Sequence, residues 1–386
     1  MHPIFQEQLR EVQQHYQTGD HDLAHRRLLD CVIETEDAIL FQETLDYCDW
    51  LETEERNQED ILTAVSVLLE KVEKIGVKKI YDGPEKLVEV DRVSKKYPKS
   101  GFRVSDIHFE MHLRKIVGLV GENGNGKTTL LRLLASELKP DSGEVRYFLG
   151  KDKSSDYDIK TQLIYIEQRI PRWYGPLLDN LQFAVAHYHQ NPNENRLWTE
   201  MMIARLGLRP FRHLNWSQLS SGYRTRFELA KTLLRRPKIL LLDEPLANLD
   251  IMAQQTILQD LKFMANSLSA PFSMILSSQH IYEVEKVSDA IVFIRDGKAQ
   301  FEERGGLEEL ESELILELEL IEKREQILAA LEGLPVGKLH FNGGVYMLHM
   351  QSGVQVSEVM EAFSKNRIEP YYFRNISKSS RRYFIR

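Results

Sequence analysis

Over roughly the first 80 residues, apolar positions recur at three- and four-residue spacing, the period of amphipathic helices. LREVQQHY and LAHRRLLDCVIE show it on either side of Gly19, and ILTAVSVLLEKVEKI shows it again further on. The pair around Thr18, Gly19 and Asp20 resembles one hairpin of a helical repeat. No second copy is evident, so a small helical bundle is expected rather than a repeat array. Gly83 and Pro84 mark a boundary. From about Leu87 the texture changes. LVEVDRV, KIVGLVG, QLIYIEQ, KILLLDE, FSMILSS and AIVFIRD are short apolar runs, and helical patterns follow Lys127, Ser220 and Ile251. Apolar runs without alternation predict strands buried on both faces of an α/β sheet.

This second part ends near Phe301, and Arg304, Gly305 and Gly306 form the next break. Beyond it ELILELELI alternates as a strand, EKREQILAALEGL is helical, and KLHFNG and GVYMLHM make a hairpin around Gly343 and Gly344. SEVMEAFSKNRI is helical and PYYFRNI is a strand. The order β-α-β-β-α-β predicts a small two-layer α+β domain. The expected organisation is a helical N-terminal docking segment over 1–82, an α/β domain over 87–301 and an α+β accessory domain over 308–386.

A chain of 386 residues is long enough for two or three such units, and 42% hydrophobic content supports a sizeable core. The net charge of −8 speaks against general nucleic-acid affinity, which needs a basic surface. The charge is uneven. Residues 1–82 hold 8 Lys and Arg against 19 Asp and Glu, a net of −11, so the remainder carries +3. The acidic segment is expected to meet a basic surface on another chain. The tail from Arg381 and Arg382 to Arg386 is the intramolecular candidate for the same contact. Two cysteines, Cys31 and Cys48, make neither a disulfide framework nor a metal pattern, and a reducing compartment is expected. The opening MHPIFQEQLR does not read as a signal peptide. No run approaches the roughly 18–20 apolar residues that span a bilayer, so work on a membrane would pass through a separate chain.

Candidate chemistry begins at GENGNGKTT, residues 121–129, which fits G-x-x-x-x-G-K-[ST] between the strand KIVGLV and the helix TTLLRLLASEL. Gly121, Gly124 and Gly126, with Asn123 and Asn125 between them, let backbone N–H groups approach phosphate oxygens. A helix N-terminus adds its positive end. Lys127 is expected on the β- and γ-phosphates of ATP, the Thr128 hydroxyl on Mg²⁺, and Thr129 completes the motif. ILLLDEP ends an apolar strand in two carboxylates, which such a strand delivers to the phosphate-bearing sheet edge. Asp243 is expected to hold Mg²⁺ and Glu244 to orient or deprotonate the attacking water.

With Leu219, Ser220, Ser221, Gly222 and Tyr223 heading a helix 24 residues before Asp243, residues of about 87–301 resemble an ABC nucleotide-binding domain. The resemblance implies a P-loop ABC ATPase fold and a head-to-tail pair of such domains, with a second copy the expected mate. In that pair Ser220, Ser221 and Gly222 would touch the γ-phosphate held by the opposite subunit. It further implies that Gln168 touches Mg²⁺ and water and senses the membrane partner. By the same resemblance Asp250, in the loop from Ala247, would contact the dimer mate, His280 would contact the γ-phosphate, and Tyr97 would stack on adenine. Two departures, Ser221 for the signature's second glycine and Tyr223 for its final glutamine, put the efficiency of the composite site in question.

The short helical stretch between Gln168 and Leu219 has the size of the family's transporter-docking subdomain, with Trp173 and Tyr174 as candidate docking aromatics. The reading adopted is the ATPase subunit of an exporter, peripheral on the cytoplasmic face of a membrane beneath a separately encoded transmembrane permease. A soluble repair or translation ATPase would show two cassettes, a coiled-coil insertion or a basic arm. An ATP-binding regulator without turnover is permitted by the altered signature.

Overall fold

Phe5, Leu9, Val12 and Tyr16 fall on one stripe of α1 (Pro3–Thr18), and all four are buried. Gly19, with φ of 84°, ends this helix, and the Asp20 carboxylate caps the next by accepting from the Leu23 N–H. The hairpin so formed continues through α2 (His21–Thr35), α3 (Ala38–Thr53) and α4 (Gln58–Ile75). The structure is a computed structural model and describes residues 2–53, 56–99, 101–150, 156–186, 191–247, 249–303, 313–342 and 344–377. Asn248, the break at Arg304, Gly305 and Gly306, the hairpin residue Gly343 and the tail from Arg381 to Arg386 lie outside the described residues.

The described residues form two compact units, 1–279 with 292–301, and 280–291 with 302–386. After α4 the chain runs through β1 (Lys86–Lys96), β2 (Arg103–His112), β3 (Ile116–Val120), α5 (Lys127–Leu134), β4 (Ser142–Tyr147), α6 (Asp156–Gln162) and β5 (Leu163–Ile166). Then follow α7 (Leu177–Ala186), α8 (Pro192–Arg205), α9 (Ser221–Leu233), β6 (Ile239–Leu242), α10 (Ile251–Ala265), β7 (Ser273–Ser278), α11 (Ile281–Glu285), β8 (Ala290–Arg295) and β9 (Lys298–Glu303). The described strands make a sheet in the order β4-β1-β2-β9-β8-β3-β7-β6-β5. Every residue of β3, β6 and β7 is buried, as parallel strands covered on both faces must be. Val120 pairs with Ser278, and Leu242 pairs with both Leu276 and Ile166. Strands β3, β7, β6 and β5 therefore end together at one sheet edge.

The change of texture at Gly83 and Pro84 coincides with the passage from α4 to β1, and the compact unit continues across it. Helices α1–α4 lie against the rest of that unit. Arg205, at the end of α8, has no exposed surface and is held by Asp30 of α2 and Asp260 of α10. The Glu34 carboxylate accepts from the Leu268 and Ser269 N–H groups at 2.8 and 2.9 Å. Arg209 pairs with Asp49 and Glu52, and Arg236 with Glu36. Phe41 meets the edge of Trp198 at 4.9 Å. Part of the acidic excess of 1–82 is therefore neutralised within the chain by arginines of α8 and of the segments after α8 and α9.

His25 sits in the same contact, with Nε2 at 3.9 Å from Cys48 Sγ. Burial, then the charges of Arg205 and Arg209, lower its pKa from 6.5 to about 4. As pH falls, the unfolded chain takes up this proton first. The stability His25 contributes is therefore complete above pH 6.5 and is lost as pH falls towards 4. Denaturant titrations should show a loss of about 2 kcal/mol from this residue between pH 7 and pH 5. The His25→Phe chain should lose correspondingly less over that range, and an equal loss in both would refute the assignment.

The second unit contains α11 and then β10 (Leu314–Glu319), α12 (Arg324–Ala330), β11 (Val336–Asn342), β12 (Val345–Met350), α13 (Val356–Lys365) and β13 (Tyr372–Asn375). Its sheet runs β11-β12-β10-β13, with each adjacent pair antiparallel. Ile327 of α12 and Val359 and Phe363 of α13 share one core with Leu316, Leu318 and Leu348 of the sheet.

Candidate active site

The loop after β3 turns through Gly124 and Gly126, whose φ angles of 82° and 109° lie in the left-handed region. Gly121 is required for a different reason. A Cβ there would sit 2.3 Å from the Ile294 carbonyl oxygen of β8. Asn125 ties the loop down by accepting from the Asp296 N–H at 3.2 Å, while Asn123 is exposed at its tip and Thr129 lies half-buried in α5. Gly126 caps α5 without a side-chain acceptor for the first N–H groups, which leaves that end suited to an anion. Lys127 is 5% exposed. Its Nζ donates to the Gly121 carbonyl at 2.7 Å and pairs with Glu244 Oε1 at 3.1 Å.

Strand β6 brings Asp243 beside this loop. The Thr128 hydroxyl donates to Asp243 Oδ2 at 2.7 Å, the Tyr165 hydroxyl donates to the same oxygen at 3.2 Å, and the Ser277 hydroxyl donates to Oδ1 at 2.7 Å. Burial and then the Asp243 charge raise the Tyr165 pKa, which keeps the phenol protonated as a donor. Ser277 also accepts from the Glu244 N–H at 2.9 Å. Glu244 has a φ of 46°, a backbone conformation that costs a non-glycine residue of order 1–3 kcal/mol. Its carboxylate accepts from Gln168 Nε2 at 2.9 Å and from Gln279 Nε2 at 3.1 and 3.0 Å, besides pairing with Lys127. Tyr165, Ser277 and Gln279 carry no motif that singles them out. They join the site through strand register, since each lies on or just beyond a parallel strand at this edge.

Among the described residues no group of three or more His, Cys, Asp or Glu could hold a metal by itself. Thr128 and Asp243 nonetheless place a hydroxyl and a carboxylate oxygen together. That small donor set fits Mg²⁺, which fills its octahedron from one or two carboxylates, water and substrate phosphates.

Tyr97 follows β1 in a turn closed by its N–H to the Phe102 carbonyl at 2.8 Å. A Cβ on Gly126 would lie 3.1 Å from Phe102 Cζ. Phe102, which no sequence motif marks, borders the loop, and the Tyr97 ring lies 6.3 Å from its own. Ser220 is the N-cap of α9, accepting from the Tyr223 N–H at 3.4 Å, and Asp250 is the N-cap of α10, accepting from the Ala253 N–H at 2.9 Å. Ser220, Ser221 and Asp250 are exposed. Ser221 lines a cavity of about 300 Å³ that also borders Gln168 and Glu244. A Cβ on Gly222 would come within 3.0 Å of Leu249 Cδ2. Tyr223, the departure at the signature's end, packs its ring on Phe211 with centroids 3.9 Å apart. His280, directly after Gln279, is the exposed N-cap of α11 and belongs to the second compact unit.

The two aromatics expected at a docking surface part company. Trp173 is buried, stacked on Trp216 at 5.0 Å, and donates from Nε1 to Glu228 at 2.9 Å. It is core, because a second tryptophan and a buried carboxylate satisfy its ring and its N–H. Tyr174 is 81% exposed, and Phe183 of α7 is 70% exposed.

The chain is similar to known proteins in sequence and in fold. A family model described as ABC transporter matches residues 104–247. The chain is 31% identical to the ABC transporter ATP-binding protein NatA of Bacillus subtilis (strain 168) over 217 residues, 54% of this chain and 83% of NatA. It is 26% identical to the phosphonates import ATP-binding protein PhnC of Treponema denticola over 230 residues, 56% of this chain and 89% of PhnC. Among solved structures it is similar in fold to CbiO1 of Clostridium perfringens, part of the ABC transporter complex CbiONQ. The TM-score is 0.51 at 21% identity, covering 57% of this chain and 89% of CbiO1. The chain belongs to the ABC transporter ATP-binding proteins, ATP-hydrolysing subunits built on this cassette.

Proposed function

We propose that the chain hydrolyses Mg·ATP at the β3–α5 loop in a site completed by the signature turn of a second copy, and that this drives a separate transmembrane permease. The observation that carries the reading is the Lys127–Glu244 pair at 3.1 Å, flanked by Gln168 and Gln279. Phosphate oxygens compete with Glu244 for the Lys127 ammonium. Binding the triphosphate therefore releases the carboxylate that has to take the proton of the attacking water. Mg²⁺, held through Thr128 and Asp243 with Gln168 nearby, would neutralise charge on the phosphates. Ser220, Ser221 and Gly222 present a helix N-terminus to the partner's nucleotide. Asp250 is assigned to the dimer contact, His280 to the γ-phosphate, and Tyr97 together with Phe102 to the adenine.

No helix among the described residues is long and apolar enough to cross a membrane. The exposed Tyr174 and Phe183 are the surface we assign to the permease, which would hold the chain at the cytoplasmic face. An import protein stands among the relatives, so the proposal names no direction of transport. Lys127→Ala should weaken ATP binding by about tenfold or more, since it removes a buried charge-assisted contact to phosphate. An unchanged affinity in a nucleotide titration would refute that role. The transport reading is tested by purifying the chain from membranes in mild detergent. Recovery with a polytopic membrane protein that raises its ATPase rate supports it. Recovery only as a free ATPase, from cells that express the neighbouring membrane proteins, overturns it.

A further inference from the structure

A second cavity, of about 360 Å³, lies where α1–α4 meet the end of α8, the middle of α9 and α10. Tyr16, Tyr47, Leu51 and Ile61 line it from the helical bundle, and Arg26, Arg205 and Arg226 are also among its lining residues, Arg226 donating from Nη1 to the Leu206 carbonyl at 3.3 Å. Arg205 is fully buried. Its Nε goes to Asp30 and its Nη2 to Asp260, while Nη1 is buried with no hydrogen-bond partner among the described residues. Nδ1 of His25 and Nδ1 of His21 are buried in the same condition, and both rings line the cavity. Arg205 Nη1 can only donate, and a buried donor left without an acceptor costs of order 1–3 kcal/mol, more on a charged group.

Two carboxylates, Asp22 and Asp260, share the lining with the three guanidinium groups. Asp22 is exposed, and Asp260 is already shared between Arg205 and Arg26. The unanswered demand in the cavity is therefore for an acceptor. The lowered pKa of His25, caused after burial by Arg205 and Arg209, reports the same positive potential.

We propose that this cavity binds a small phosphate monoester with an aromatic or apolar body. Its oxyanion accepts from Arg205 Nη1 and Arg226 beside the rings of His21 and His25, and its body lies against Tyr16, Tyr47, Leu51 and Ile61. Arg226 stands on α9, the helix that Ser221 begins, so an occupant would join α2, α8 and the signature helix through one ligand. The site is separate from the phosphate loop and shares none of the residues assigned there.

The test uses the full chain with its nucleotide site saturated by Mg·ADP, titrated calorimetrically with phenyl phosphate and with inorganic phosphate. Saturable one-site binding of phenyl phosphate is expected, tighter than that of inorganic phosphate. Arg226→Gln should weaken it about tenfold or more. Ile61→Trp, which fills the apolar wall, should abolish it, and Lys127→Ala should leave it unchanged. Absence of saturable binding to the unmodified chain overturns the proposal. So does binding that Lys127→Ala removes and Arg226→Gln preserves, since the ligand would then occupy the phosphate loop.

Discussion

Glu244→Gln should lower ATP hydrolysis by about two to four orders of magnitude while the chain still binds ATP and self-associates with it. The residue's contacts explain why the two effects separate. Lys127 keeps its contact with the Gly121 carbonyl, and the α5 N-terminus, Thr128 and Asp243 are untouched by the change, so the groups assigned to phosphates and metal remain. What is lost is the carboxylate that accepts the water's proton. The substitution also removes the negative partner of Lys127, which has nothing else within ion-pairing distance among the described residues. ATP affinity should therefore be equal or tighter. Gln168 and Gln279 would face an amide in place of a carboxylate and lose three charge-assisted contacts. Phosphate release measured beside size-exclusion chromatography with ATP decides the matter. Turnover near that of the unmodified chain would remove Glu244 from the mechanism and leave the strained φ at this position without a catalytic reason.

The residues legible in the sequence are those whose role is local. Residues 121–129 announce themselves because a phosphate cradle is one turn and one helix start, and Asp243 and Glu244 because an apolar run ends in acids. Tyr165, Ser277 and Gln279 reach the same few ångströms only through pairings such as Ile166 with Leu242 and Leu242 with Leu276, which no single segment encodes. Strand β2 is not legible although its burial alternates, because Ser105 and Asp106 interrupt the apolar positions with two polar residues in succession. Trp173 reads as a surface aromatic in RIPRWYGPLL, and nothing in that string shows Trp216 stacked upon it. The β-α-β-β-α-β order of the C-terminal part was readable because its elements are short, periodic and separated by turns. The acidic segment was hardest. Asp30 and Arg205 are 175 residues apart, so its excess charge pointed outward when part of its answer lay within the chain.

That pairing leads to the second large effect. A chain beginning at Leu87 should aggregate, or melt about 10 °C or more below the full chain. Removing α1–α4 takes Asp30 from Arg205, whose guanidinium has no exposed surface, and leaves it Asp260 alone. Breaking a buried ion pair from one side costs about 3–5 kcal/mol, a large part of a typical native stability. The truncation also removes Phe41 from its T-shaped contact with Trp198, uncovers the Phe263 face on which Arg27 lies, and frees the Leu268 and Ser269 N–H groups from Glu34. Freshly exposed apolar surface of this kind promotes association. Asp30→Leu in the full chain isolates the charge term and should destabilise by several kcal/mol in denaturant titration. Adding Arg205→Met should recover part of the loss, because an unpaired buried charge costs more than an apolar pair. A soluble chain from Leu87 that melts with the full chain and binds ATP equally well would show that α1–α4 are dispensable to the cassette. The acidic helices would then return to the role of a contact made with another protein.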